Sequence, residues 1–228
     1  MIAIIGAMQI ETEALSEMLE DKHTDIISGR EYHVGKLHGK DVVICTCGIG
    51  KVFAAICAEA MILNYKPSLL INTGVAGALD SSLDVTDVVV SSSVVQHDMD
   101  TSPLGDPKGL ISGINKIYFE ADTRAVEILR GAASELSLNA FVGTIASGDK
   151  FVCASSDKAA IVSEFSAICC EMEGASIAHV AYCNSTPFAV VRAISDSADG
   201  EATMDYPTFL PIAARNSTNL TLALVKGW

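Results

Sequence analysis

Acidic side chains stand where apolar stretches of this chain give way to turns: Glu11, the pair Glu171 and Glu173, and Asp196 with Asp199 behind it. Carboxyl groups so placed can move protons or hold hydroxyl groups of a ligand. The clearest case lies between Pro187 and Asp199. Phe188 to Ile194 reads as a strand buried on both faces, and Arg192 interrupts it. If the strand reaches Asp196, its period of two puts Arg192 and Asp196 on one face. A guanidinium in such a strand needs a carboxylate or a bound ligand, because an unpaired buried charge is costly. Ligands of open α/β sheets collect at the carboxyl ends of strands. The stretch alone leaves two readings open, a structural Arg–Asp pair or part of a binding site. Glu11 falls where a strand hands over to a helix, a place that favours a carboxylate on electrostatic grounds alone. His97-Asp-Met-Asp-Thr gathers one histidine among acceptors, but no second histidine follows at ligand spacing, so no metal site is expected.

The elements that must position these groups follow from composition and pattern. The chain has 228 residues, 50% hydrophobic and 19% charged, with a formal net charge of −13. That composition supports a large core within one domain spanning 1–228, and excludes global disorder. No Lys/Arg cluster offsets the acidic balance, which argues against nucleic acid as a partner. The seven cysteines lie in apolar stretches without a Cys-x-x-Cys pair, so buried, reduced thiols in a cytoplasmic protein are expected. Met1-Ile-Ala-Ile-Ile-Gly is too short an apolar run for a secretory or membrane segment and reads as a first strand.

A helix is expected from Glu11 to Leu19. Three antiparallel segments follow, at 26–28, 30–34 and 41–47. Gly48-Ile-Gly50 then opens a helix to about Asn64. Phe53 stands where a dinucleotide fingerprint needs its third glycine, so a tight turn near a ligand is the simpler account. Leu69 to Ala78 reads as a buried strand running into a small-residue turn, and 85–95 as another. Residues 101–115 form a loop-rich insertion of a length that suits a lid or an interface arm. Beyond it the pattern predicts a helix over 122–136, a strand over 141–147, a helix over 158–164, a strand over 167–173 and a helix over 174–183. After the Arg192 strand a terminal helix spans 206–225. This alternation predicts an α/β domain with a mixed, mostly parallel central sheet covered by helices.

Six short motifs now stand in one order: Ile5-Gly-Ala-Met8 with Glu11, Gly48-Ile-Gly-Lys51, Asn72-Thr-Gly-x-Ala-Gly77, Ser147-Gly-Asp-x-Phe151, Glu171-Met-Glu173, and Arg192-Ala-Ile-Ser-Asp196. Together they resemble the bacterial 5′-methylthioadenosine/S-adenosylhomocysteine nucleosidases of the nucleoside phosphorylase superfamily, over nearly the whole chain. The resemblance implies a three-layer α/β/α fold, a homodimer, no metal or other cofactor, and hydrolysis that releases adenine. It implies that Asp196 protonates adenine N7, that Glu11 activates the attacking water, and that Phe151 and Val152 hold the base. Glu173 and the Met172 backbone would hold the ribose hydroxyls with Arg192 in support. Further substrate contacts are implied for Met8, Ile49, Val75, Ala76, Gly77, Glu171, Ser195 and Phe209. An acid and a base flanking the scissile bond is also the logic of inverting glycosidases.

The chain departs from the family pattern at Val75, where many members carry serine, and in 101–113, which lacks their aromatic-rich sequence. Both bear on the 5′ side of the substrate. Apolar surroundings from Met8, Ile49, Met172 and Phe209 predict a preference for thioether or deoxy substituents over a bare 5′-hydroxyl, with Pro103 or Leu104 reaching a partner subunit's pocket. The competing readings are a purine nucleoside phosphorylase, a futalosine hydrolase or similar adenine-releasing hydrolase, and a catalytically silent nucleoside binder. Phosphate needs several cationic partners. Only five arginines occur, at 30, 124, 130, 192 and 215, and Glu11 rather than a cation follows the first glycine turn. A silent binder would have lost the acid or the base.

Overall fold

A computed structural model describes residues 1–198 and 202–228, the side chains of 202–205 excepted. Asp199 lies outside the described residues. In chain order the elements are β1 (Ile2–Gly6), α1 (Gln9–Glu17), β2 (Glu20–Ile27), β3 (Arg30–Leu37), β4 (Lys40–Thr46), α2 (Lys51–Tyr65), β5 (Leu69–Ala78) and β6 (Val88–Gln96). They continue with β7 (Tyr118–Glu120), α3 (Thr123–Glu135), β8 (Ala140–Ser147), α4 (Ser155–Phe165), β9 (Cys169–Glu171), α5 (Gly174–Cys183), β10 (Phe188–Asp196) and α6 (Ala202–Gly227). The short strand β7 had no sequence signal of its own; it is a three-residue edge pairing against β6.

One mixed sheet runs β10-β6-β8-β9-β5-β1-β4-β3-β2, and β10 also pairs with β5. That extra pairing closes β5, β9, β8, β6 and β10 into a ring, leaving β1 to β4 as an arm. The longest ladders, β5 with β10 and β6 with β8, are parallel. The antiparallel β2–β3–β4 meander supplies the outer strands of the arm.

Alternation along the central strands splits the core into two layers. Ile2, Ile4, Val42, Ile44, Leu69, Ile71, Ala189 and Val191 face the layer that includes Leu15, Leu129 and Leu220 from α1, α3 and α6. Ala3, Ile5, Val43, Cys45, Leu70 and Val190 face the opposite layer, with Cys57 and Met61 of α2 and Ile177 of α5. Both faces of these strands are thus apolar, which is why β1 reads as an unbroken apolar run and β5 opens on one, Leu69 to Ile71, rather than alternating. The three-layer α/β/α expectation holds.

Cysteine burial is less uniform than the sequence suggested. Cys45, Cys47, Cys57, Cys169 and Cys170 are buried, whereas Cys153 and Cys183 are exposed. Cys153 lies in the turn leading to α4 and Cys183 ends α5, so neither reaches the core. Among the described residues, no helix is long and apolar enough to cross a membrane.

Candidate active site

Five strand ends meet around one cavity of about 390 Å³. From the β1–α1 turn come Met8 and, one helical turn on, Glu11. The end of β5 gives Val75, Ala76 and Gly77; the loop after β8 gives Phe151 and Val152. The end of β9 gives Glu171, Met172 and Glu173, and β10 gives Arg192, Ser195 and Asp196. Ile49 closes one side from the turn before α2. All fourteen of these residues, expected at the site from sequence, line the cavity.

Glu11 is held from three directions. Its Oε2 accepts the Ala7 and Met8 backbone N–H groups at 2.8 and 2.9 Å, and Oε1 accepts the Val75 N–H at 3.1 Å. The helix-capping role is therefore real, but it does not exhaust the group, which also faces the cavity. Burial raises its pKa, and the Arg192 charge and the three N–H donors only partly oppose that rise. A side chain at Gly74 could not coexist with this arrangement, since a Cβ there would fall on Glu11 Oε1 and Arg192 Nη1.

Arg192 is 1% exposed and is the largest fully buried side chain. Its carboxylate partners are not Asp196 but Glu171, in direct contact, and Glu173 at 3.8 Å. Asn72 and the Val75 carbonyl also accept from it. The simple Arg192–Asp196 pair raised as one sequence reading is thus replaced by a different pairing. A register shift between Ile194 and Asp196 breaks the period of two, so the two residues do not follow one regular face. Asp196 is oriented instead by the Ser195 hydroxyl, donating to Oδ1 at 2.8 Å, and the Ala198 N–H, donating to Oδ2 at 3.1 Å.

Glu171 anchors the polar floor. It accepts from Ser147 Oγ, Arg192, and the backbone N–H groups of Glu173 and Gly174. Glu173 accepts the Gly50 N–H at 2.8 Å. Its pKa is pushed up to about 7, by burial first and then by Glu171 and Glu11, against the pull of Arg192 and Gly50. Three carboxylates around one guanidinium leave excess negative charge, and Glu173 yields part of it by holding a proton.

The turns that carry these groups are tied together. Lys51 Nζ meets Asp98 Oδ1 at 2.6 Å, the Asp149 N–H donates to Asp98 Oδ2 at 2.9 Å, and the Lys51 N–H donates to Asp149 Oδ1 at 2.8 Å. Gly50, at φ +100°, lets its N–H turn onto Glu173 without a side chain meeting Asp149. Of the His97-Asp98 pair flagged in the sequence, Asp98 serves this tether. Among the described residues, no three His, Cys, Asp or Glu side chains converge as metal ligands.

Phe209 is not among the cavity's lining residues; Tyr206 is, three positions earlier on the same face of α6. The expectation chose the aromatic one helical turn too far along. Ala7, inside the first motif, also lines the cavity, and the sequence gave no sign of Lys150 and Cys170 there. Lys150 was masked by its charge type, since a lysine in a turn reads as solvated. Its side chain is indeed exposed, and its ammonium pairs with Asp157 at 2.6 Å.

Comparison with known proteins places the fold in a family. The family model described as the phosphorylase superfamily matches residues 1–226. A 5′-methylthioadenosine/S-adenosylhomocysteine nucleosidase from Neisseria meningitidis, solved with methylthio-immucillin-A, is 36% identical at a TM-score of 0.96, covering 100% of this chain and 99% of its own. The corresponding nucleosidase of S. pneumoniae, with a transition-state inhibitor, is 35% identical at 0.94, over 99% and 98%. A futalosine hydrolase of Helicobacter pylori is 35% identical at 0.95, over 100% and 97%. On fold, on cavity and on a match that runs almost end to end, this chain belongs to the phosphorylase superfamily.

Proposed function

We propose that the chain, as one nucleosidase domain, hydrolyses the N-glycosidic bond of 5′-methylthioadenosine and S-adenosylhomocysteine, and of 5′-deoxyadenosine, releasing adenine. The observation that carries this reading is the pair Glu11 and Asp196 on one largely apolar cavity, with Glu173 between Gly50 and Arg192.

Adenine is a poor leaving group as an anion. Asp196, steadied by Ser195 and Ala198, protonates N7 as the bond breaks. Phe151 offers a ring face, and the Val152 backbone offers hydrogen bonds to the base. Glu173 and the Met172 backbone hold the ribose hydroxyls. Arg192 keeps Glu171 and Glu173 in place rather than touching the substrate. The sugar becomes oxocarbenium-like, and Glu11 takes a proton from water attacking the opposite face. Its raised pKa makes it a stronger base than a solvated carboxylate, provided the pH is high enough to ionise it.

Phosphate as the nucleophile is disfavoured by the charges present. Of the two cations among the described lining residues, Arg192 is buried against Glu171 and Glu173, and Lys150 is an exposed side chain that pairs with Asp157, too few to hold a phosphate. The active unit is a cytoplasmic homodimer in this reading. Its support is an exposed apolar surface on and around α2, comprising Ile49, Val52, Phe53, Ile56 and Leu63, together with Leu104, 84% exposed in the 101–115 insertion. Single exposed apolar residues are ordinary, but a run of them along one helix marks an interaction face.

The test is a product assay by mass spectrometry on methylthioadenosine, S-adenosylhomocysteine, 5′-deoxyadenosine, inosine and futalosine, with and without phosphate. Free adenine and the free pentose, its 5′ substituent unchanged, are expected at a phosphate-independent rate. Pentose-1-phosphate products would establish a phosphorylase, and turnover of futalosine alone would establish a futalosine hydrolase.

A further inference from the structure

The aromatic wall of the cavity ends in a hydroxyl. Tyr206 Oη lies 3.2 Å from Met8 Sδ, and its ring meets Phe151 edge-on with centroids 5.6 Å apart. A thioether sulfur is a weak acceptor, so the phenol proton is poorly used there. Among the described residues Met8 Sδ is the hydrogen-bond partner of this hydroxyl, and the carboxylates of the same lining, Glu11, Asp196 and Glu173, act on it through their charge. A half-buried hydroxyl with only a weak partner gains when a ligand completes its hydrogen bonding. The phenol is held well away from ionisation, with its pKa raised to about 12 by burial first and then by Glu11, Asp196 and Glu173. Tyr206, a lining residue of the cavity, therefore keeps its phenol proton throughout the neutral range.

The proposed function orients the ligand, and this inference rests on that reading. With the base against Phe151 and Asp196 and the ribose over Glu173, the Met8 end of the cavity receives the 5′ substituent. We infer that the Tyr206 hydroxyl is a specificity-determining donor that binds an oxygen at the 5′ position of the nucleoside. In this inference the 5′ pocket departs from the all-apolar one expected from Met8, Ile49, Met172 and Phe209, since Tyr206 and not Phe209 lines the cavity. With Tyr206 in place of Phe209, the pocket has one polar group, placed where a 5′-hydroxyl would otherwise lose water without compensation. Rejection of 5′-hydroxylated nucleosides is correspondingly weakened.

A two-by-two cycle tests this, crossing wild type and Tyr206→Phe with adenosine and 5′-deoxyadenosine, which differ only in the 5′-hydroxyl. The readout is kcat/KM for adenine release, with KM and kcat separated and melting temperature read on the same preparations. Tyr206→Phe forfeits only a weak bond to sulfur, so a folded protein is expected. The adenosine-to-deoxyadenosine ratio should fall about threefold to tenfold in the variant, the worth of one neutral hydrogen bond, chiefly through KM. A ratio unchanged within twofold, or a wild type that takes deoxyadenosine but not adenosine, overturns the assignment of the hydroxyl alone. Wild type releasing adenine from neither nucleoside, nor from methylthioadenosine, overturns the nucleosidase reading beneath it.

Discussion

Replacing Glu173 with glutamine should stabilise the protein at mildly alkaline pH while damaging the site. The folded pKa of Glu173 is about 7, against an ordinary 4.5. The folded state therefore binds the extra proton. The stabilising contribution of Glu173 is complete below its unfolded pKa near 4.5 and is lost as the pH rises through about 7. The full shift corresponds to about 3 kcal/mol, and most of it, about 2–3 kcal/mol, is lost between about pH 5 and pH 8. Glutamine carries no charge to desolvate, and its carbonyl can still accept the Gly50 N–H that now meets Glu173 Oε1 at 2.8 Å. Arg192 loses a 3.8 Å ion pair but keeps its direct contact with Glu171. Thermal unfolding of wild type and Glu173→Gln at the two pH values is the assay. For a chain of this length each kcal/mol is worth about 2–4 °C, so the variant should gain roughly 5 °C or more on wild type in going from the lower to the higher pH. Adenine release should fall sharply in the same variant. An equal pH dependence of melting temperature in both proteins would refute the buried, proton-holding carboxylate.

Three further expectations bear on neighbouring groups. Asp196→Asn should lower kcat by about 10²–10⁴-fold, the usual range for losing a general acid, with little change in melting temperature because Arg192 relies on Glu171 and Glu173; an active variant that melts much earlier would make Asp196 structural. Glu171→Gln leaves the buried Arg192 guanidinium short of a charge and should cost about 3–5 kcal/mol in chemical denaturation, so a near-neutral result would dismiss the polar floor as an anchor. Light scattering should find a dimer that Phe53→Glu weakens, and a fully active monomer at assay concentration would end the homodimer proposal.

Much of the site was legible in the chain order because strands of a doubly covered sheet are written as apolar runs, and a charge that interrupts or ends such a run stands out. Glu11, Glu171, Glu173, Arg192 and Asp196 were found that way, and the six ordered motifs linked them to a family. The two layers of the core were also implicit, since β1, β4, β5 and β10 divide their side chains between opposite faces. The pairings of charges were not legible. A spacing of four in a strand suggested that Arg192 meets Asp196, but the register shift before Asp196 and the approach of β9 against β5 and β8 bring Glu171 to the guanidinium instead. That choice depends on residues about twenty positions apart, and local periodicity carries no information at that range. Tyr206 was missed for a related reason. Helical spacing says that Tyr206 and Phe209 share a face of α6, but which of them reaches Met8 depends on how far along the sheet the helix is docked, and only tertiary packing sets that.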